Sequence, residues 1–354
     1  MKKIKVFLSG TVNYSNSQNF TCLAVAKYLD KKKFNVRTLT VYSGRVPIES
    51  IDGVKYLTVH YPARIWYPIQ LIRGILWADV SFLPKPEHWK LQRFVLRLFR
   101  KKSFTTVESV CYGPARERAI EAFGSVEAIR EYSTYTTKTY AITKSMIAKN
   151  KELIGLPEPA GILHLITDTT KFAMERKSDA LRGVLLLGED LKRKGLDDYL
   201  ALARQFPSVM FHVVGGGVGG DDYAAQCKAS GLSNVVFHGS LTHDQLKAIL
   251  PEVQLHVLPS RAEGFPKVII ETAGAGMPSL VYGDYGADEW ITTGKDGFVV
   301  NTVEEMSAVI RDLVDHPEKM QPLADGAREL ARRFDAREVI KEWEAAIQQL
   351  AEGE

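Results

Sequence analysis

Little in these 354 residues invites cross-linking, for the three cysteines, Cys22, Cys111 and Cys227, are odd in number, far apart and in no C-x-x-C pair. That excludes a disulfide framework and a cysteine zinc site, and it leads us to expect a reduced, cytoplasmic setting. Long apolar runs are scarce. The most apolar stretch, Ile69 to Leu83, is broken by Arg73 and Asp79, so no segment reads as membrane-spanning. The chain opens M-K-K-I-K-V-F-L-S-G, a charged strand pattern without the apolar stretch of a signal peptide. Internal repeats and low-complexity tracts are missing, as is any Asp-x-Asp pair that could hold a divalent cation, so no metal site is expected.

What is present describes a globular chain of about two domains, with 45% hydrophobic and 25% charged residues. The net charge of +4 hides an asymmetry. Residues 1–150 carry 25 Lys and Arg against 10 Asp and Glu, or +15, while residues 151–354 carry 21 against 32, or −11. A basic half suits an anionic partner such as a membrane surface or a lipid-linked diphosphate, or simply an acidic neighbouring domain.

Apolar strands and amphipathic helices alternate along the chain. Ile4 to Leu8, the polar loop Ser9 to Gln18 and a helix to about Leu29 form the opening of a doubly wound sheet, and the loop carries Gly10 with Ser15, Asn16 and Gln18. Further strands are expected at Val36–Val41, Val54–Val59, Phe104–Val110, Tyr140–Thr143 and Gly161–Ile166, before a polar linker, Lys171 to Arg182. A second alternating set follows from Val184 to Val300, then helical patterns to the end, the last from Asp335 to Leu350 around Trp343. Between the early strands, Trp89 to Lys102 places Leu91, Phe94, Val95, Leu98 and Phe99 on one stripe among Lys90, Arg93, Arg97, Arg100 and Lys101. Such a stripe is the buried face of a sheet-covering helix or, alternatively, the face of a basic helix lying on an anionic membrane.

The chemistry concentrates at Leu258 to Pro278, L-P-S-R-A-E-G-F-P-K-V-I-I-E-T-A-G-A-G-M-P. It reads as a strand, a loop and a helix, with Glu263 on the loop and Glu271 in the helix. In an open α/β sheet ligands bind beyond the carboxyl ends of strands, so one corner offers two acids to one ligand. Ionised carboxylates only accept hydrogen bonds and so suit sugar and ribose hydroxyls, while a helix N-terminus suits a phosphate. Upstream, Gly215 to Gly220 satisfies G-x-G-x-x-G after a strand. The dinucleotide fingerprint also needs an acid at the end of the next strand, and there Asn234 to Phe237 is followed by His238 and Gly239.

The string P-S-R-A-E-G-F-P-K-V-I-I-E-T-A-G-A-G-M-P resembles the signature of the large family of retaining GT-B glycosyltransferases that carries a Glu-x7-Glu motif. Gly286 to Val300, V-V-G-G-G and N-V-V-F-H-G-S-L-T-H-D-Q-L resemble further blocks of that family. The resemblance implies an α/β GT-B fold, with two Rossmann-like doubly wound domains facing a cleft and a C-terminal helix crossing back to the first. Its implied boundaries are 1–170, a linker at 171–182, 183–334 and a helix at 335–354. It implies a hexosyl transfer from a UDP- or GDP-linked sugar to a glycan or lipid-linked acceptor, as in cell-surface polysaccharide or glycolipid assembly. No bound cofactor, metal or nucleic acid is implied, and contact with the inner face of a membrane is expected to run through the basic first domain. On this reading Glu263 orients the donor sugar, Lys194 steadies the diphosphate, and Glu271 holds the ribose. Gly215, Gly216, Gly217, His238, Gly239, Gly264, Phe265 and Gly10 line the nucleotide.

Two departures accompany the match: Glu108 stands where the family has a donor-facing His, with Arg116 and Arg118 as candidate partners, and Glu189 stands where an Arg is expected. An acid beside a diphosphate repels it, so either Glu189 points elsewhere or Lys192 or Arg193 supplies the missing charge. The same architecture also serves sugar-nucleotide epimerases, phosphorylases and noncatalytic subunits, which remain alternatives.

Overall fold

The computed structural model describes residues 2–14, 16–42, 50–109, 113–174, 177–216 and 222–353, without the side chains of 113–115 and 118. They form two units, Met1–Ile166 with Ala336–Glu354, and Thr167–Asp335.

The first unit runs β1 (Ile4–Thr11), α1 (Ser17–Tyr28), β2 (Phe34–Val41), β3 (Val54–Val59), α2 (Ala63–Trp77), β4 (Val80–Phe82), α3 (Trp89–Leu98), β5 (Lys102–Val107), α4 (Gly113–Phe123), α5 (Val126–Ser133), β6 (Lys138–Ala141) and α6 (Lys144–Ile154). Its strands are parallel, in the order β3-β2-β1-β4-β5-β6, so chain direction across the sheet reverses between β1 and β4. Alternating side chains of β1 enter two cores: Val6 and Leu8 pack with Cys22 and Val25 of α1, and Phe7 packs with Leu71 and Ile75 of α2. Both faces are covered, as an all-parallel sheet requires.

Three local outcomes differ from the sequence expectation. The fifth strand stops at Val107 rather than running to Val110. Residues 161–166 form no strand; Ala141 N–H donates to Gly161 O and Leu163 N–H to Ala141 O, which makes a single parallel bridge to the edge of β6. Helix α3 is rolled roughly a quarter turn, so that Trp89, Gln92, Val95 and Leu96 are buried while Phe94, Leu98 and Phe99 face outward. Gln92 explains the roll. Its Oε1 accepts from the Tyr135 hydroxyl at 2.6 Å and its Nε2 donates to Glu87 O at 2.8 Å, which draws a polar residue inward.

The second unit runs β7 (Gly183–Leu187), α7 (Leu196–Gln205), β8 (Met210–Val214), α8 (Tyr223–Ala229), β9 (Val235–Gly239), α9 (His243–Ile249), β10 (Leu255–Leu258), α10 (Lys267–Gly274), β11 (Ser279–Tyr282), β12 (Gly297–Val300), α11 (Val303–Asp315) and α12 (Met320–Arg333). Its parallel order is β12-β11-β10-β7-β8-β9, and here the reversal falls between β7 and β10. Phe172, from the segment ahead of β7, is buried with Leu185, Val214 and Met277.

The last helix, α13 (Ala336–Glu352), returns to the first unit. Its Trp343 is fully buried, set edge-on to Phe82 at 5.0 Å and to Phe104 at 5.9 Å, and donates its indole N–H to His164 O at 3.0 Å. This doubly wound pair with a returning helix is the GT-B architecture. Among the described residues no helix is long and apolar enough to cross a membrane.

Candidate functional site in the second unit

In an open α/β sheet the carboxyl edge is widest for a ligand where the strand order reverses. In the second unit that point lies between β7 and β10, and the two loops that leave it, 188–195 and 259–266, carry the predicted residues Lys194 and Glu263. Backbone sterics press the loops together. Gly195 has φ +86°, and a Cβ there would fall 2.1 Å from Pro259 O, so only glycine lets the first loop lie on the second.

This contact fixes the charges. Lys194 Nζ donates to Glu263 Oε1 at 2.8 Å, with both side chains more than nine-tenths shielded. Arg193 donates to the same oxygen at 3.0 Å and to Ala262 O at 2.8 Å, and its Nε lies 3.4 Å from Asp190 Oδ2. Glu263 Oε2 accepts no hydrogen bond from the described residues, so one oxygen is open to a hydroxyl donor. Of the two candidates for the missing charge, Lys192 and Arg193, both are exposed, and Arg193 is the one hydrogen-bonded to Glu263. The Glu189 carboxylate lies elsewhere on the edge, over Gly216, where an added Cβ would stand 3.3 Å from Glu189 Oε2 and 2.8 Å from Ser240 Oγ.

Glu271 is the fifth residue of α10 and is half-buried, yet it makes no hydrogen bond or ion pair with a described residue. Burial pushes its carboxyl above the ordinary value of 4.5, against the pull of Lys267 and Lys171. A buried acid without partners is costly unless hydroxyl donors arrive.

The strand ends beside this corner are stripped of side chains. Gly215 has φ +141°, and a Cβ there would sit 1.8 Å from Gly188 O, so the turns after β7 and β8 interlock. Gly215 N–H donates to Gly239 O at 2.9 Å, which ties in the end of β9. His238 projects a half-buried ring whose Nε2 lies 3.0 Å from His212 Nδ1, the two rings 7° from parallel. Burial lowers both imidazoles below their ordinary value, so the pair is neutral near pH 7. Gly264 precedes Phe265, whose side chain is buried against Trp290 at 5.0 Å and Phe334 at 5.4 Å, so the ring props the loop from below. Gly217 lies outside the described residues.

Two predicted residues belong to the first unit. A Cβ on Gly10 would stand 2.6 Å from Cys22 Cβ, so this glycine admits α1 to the sheet. Glu108, just beyond β5, is half-buried and accepts from Thr106 Oγ1 at 3.0 Å and Ser17 Oγ at 3.4 Å. Arg116 is exposed, and the Arg118 side chain lies outside the described residues. The loop after β1 spends its polar side chains on nearby backbone: Asn16 caps α1, Asn19 accepts from Thr11 N–H at 2.9 Å, Asn13 exchanges two hydrogen bonds with Val41 of β2, and Gln18 donates to Pro84 O at 2.8 Å. Ser15 lies outside the described residues.

Comparison with known proteins points the same way. Residues 168–330 match the family described as Glycosyl transferases group 1. The chain is 25% identical over 98% of its length to an uncharacterized glycosyltransferase of Haemophilus influenzae, covering 86% of that protein. Over 44% of its length it is 25% identical to an alpha-galactosylglucosyldiacylglycerol synthase of Streptococcus pneumoniae, spanning 42% of that relative. The fold is similar to that of Anabaena HepE in complex with UDP and glucose, with a TM-score of 0.75 at 15% identity, over 98% of this chain and 100% of that one.

Proposed function

We propose that this chain of GT-B fold, whose residues 168–330 match group 1 glycosyl transferases, is a retaining, metal-independent hexosyltransferase. Its donor on this reading is a nucleotide diphosphate sugar, UDP- or GDP-linked, and its acceptor a glycan or lipid-linked glycan. The observation that carries the reading is the half-buried Glu271 carboxylate, which makes no hydrogen bond to a described residue, at the same corner as a Glu263 already held by Lys194 and Arg193.

Each group then has a task matched to its chemistry. Glu271 accepts the two ribose hydroxyls, which satisfies a carboxylate that otherwise meets few donors. Glu263 accepts a donor-sugar hydroxyl through Oε2. Arg193 and Lys194 share their charge with the diphosphate as the sugar leaves, stabilising negative charge where it develops. The acceptor oxygen bonds to the anomeric carbon as the bond from that carbon to the phosphate oxygen breaks. The acceptor proton passes to that departing oxygen on the same face, so configuration is kept and no separate protein base is needed. Gly215, Gly216 and Gly239 admit the nucleotide to the backbone, with the neutral His238 ring beside it. The lipid headgroup in the name of the Streptococcus relative supports a glycolipid among the candidate acceptors.

Incubation with α-linked UDP- and GDP-hexoses, followed by NMR of the anomeric proton before mutarotation, tests the proposal. Release or transfer of α-configured sugar is expected. A β-configured product, or no consumption of any donor, contradicts it.

A further inference from the structure

The outward roll of α3 leaves apolar side chains where water should be. Phe94 is 62%, Leu98 59% and Phe99 52% exposed, although α3 has Trp89, Val95 and Leu96 buried on its other side. Lys90 and Arg97 are exposed on the same outward face, with Lys101 following directly, and α3 contains no acidic residue. Arg93 is engaged with Glu131 of α5 at 2.7 Å, which leaves the other cations on the flank of the aromatic ridge without an acid partner among the described residues.

Helix α2 extends the pattern. It packs beside α3, contains no acid, and turns Ile65, Trp66 and Ile69 outward at 51%, 37% and 41% exposure, with Arg64 and Arg73 exposed on the same helix. Isolated exposed apolar residues are ordinary, but two adjacent helices that both present them among cations are not. A protein partner could cover apolar area, but the cations select an occupant with dense negative charge. Aromatic and aliphatic side chains ringed by Lys and Arg fit a surface that is apolar beneath and anionic on top, which is a bilayer carrying acidic headgroups.

We propose that the outward faces of α2 and α3 seat the first unit on an anionic membrane, with Phe94 and Leu98 inserted at the headgroup boundary and Lys90 and Arg97 on the phosphates. The site is separate from the donor corner of the second unit, so it stands whether or not the donor reading holds. If that reading does hold, membrane seating keeps the enzyme at the surface that displays a lipid-linked acceptor.

Flotation of the full chain with vesicles of phosphatidylcholine alone, and of phosphatidylcholine with phosphatidylglycerol, reads the proposal directly. Wild-type protein is expected to float with the acidic vesicles and to stay behind with the neutral ones. Lys90→Gln with Arg97→Gln should weaken binding about fivefold for each cation removed, and Phe94→Ser with Leu98→Ser should weaken it at least as much. Lys90, Phe94, Arg97 and Leu98 are all exposed, and a thermal unfolding midpoint unchanged in every variant confirms that the variants are folded. Equal recovery with both vesicle types overturns the proposal. So does a wild-type dimer that Phe94→Ser with Leu98→Ser converts to monomer without altering flotation, because the face would then cover a second copy.

Discussion

The two units share one plan, a six-stranded parallel sheet wrapped on both faces, but treat the carboxyl edge of that sheet differently. In the second unit the edge is laid bare: Gly188, Gly195, Gly215 and Gly239 clear the backbone, and the few side chains left, Arg193, Lys194, Glu263 and Glu271, are charged. In the first unit the asparagines of the loop after β1 are spent on backbone of that turn and of β2, and Gly10 at the end of β1 faces Cys22. The difference teaches where chemistry is concentrated. On the proposed function, bare backbone and a cluster of charges mark the unit that would grip a phosphorylated ligand, whereas the first unit places its unusual surface, basic and aromatic, on the outside of its helices.

The comparison can be broken at its structural end first. Trp343 comes from the far end of the chain but fills the first unit's core, so Trp343→Ala should cost about 3–5 kcal/mol. Hydrogen exchange should show the loss in β4, β5 and α1 while α10 stays protected; equal loosening of both units would deny their independence. Next comes the charge at the second unit's edge. If Lys194 supplies charge to the leaving diphosphate as proposed, Lys194→Gln should lower donor turnover about 10²–10³-fold. Turnover within a factor of two of wild type would show that Arg193 alone carries that role.

Much of this was legible in the chain. Period-two apolar runs closed by glycine located most strands, and the Glu-x7-Glu string located the corner, because strand, loop and helix there follow one another in sequence. The Lys194–Glu263 contact was not legible as a contact. It joins residues on loops 69 positions apart, which only the strand order β10-β7 brings together. The roll of α3 was hidden for a similar reason: the apolar stripe of Leu91, Phe94 and Leu98 is real, but burial is decided by Gln92, whose partner Tyr135 lies 43 residues on. Gly10 looked like ligand access because a glycine after a strand so often is; its neighbour in space, Cys22, assigns it to packing. Periodicity reports which face is apolar, and distant hydrogen bonds decide which face turns inward.

The central claim is that Glu271 is a ribose acceptor held ready half-buried, with no hydrogen bond to a described residue. Calorimetric titration of UDP and GDP into wild-type protein and Glu271→Gln tests it most directly, since the amide keeps the shape and removes the charge. Charged hydrogen bonds contribute about 1.5–3 kcal/mol, so the variant should bind the preferred nucleotide roughly 10- to 150-fold more weakly with its fold intact. Equal affinity in the two proteins would contradict the account.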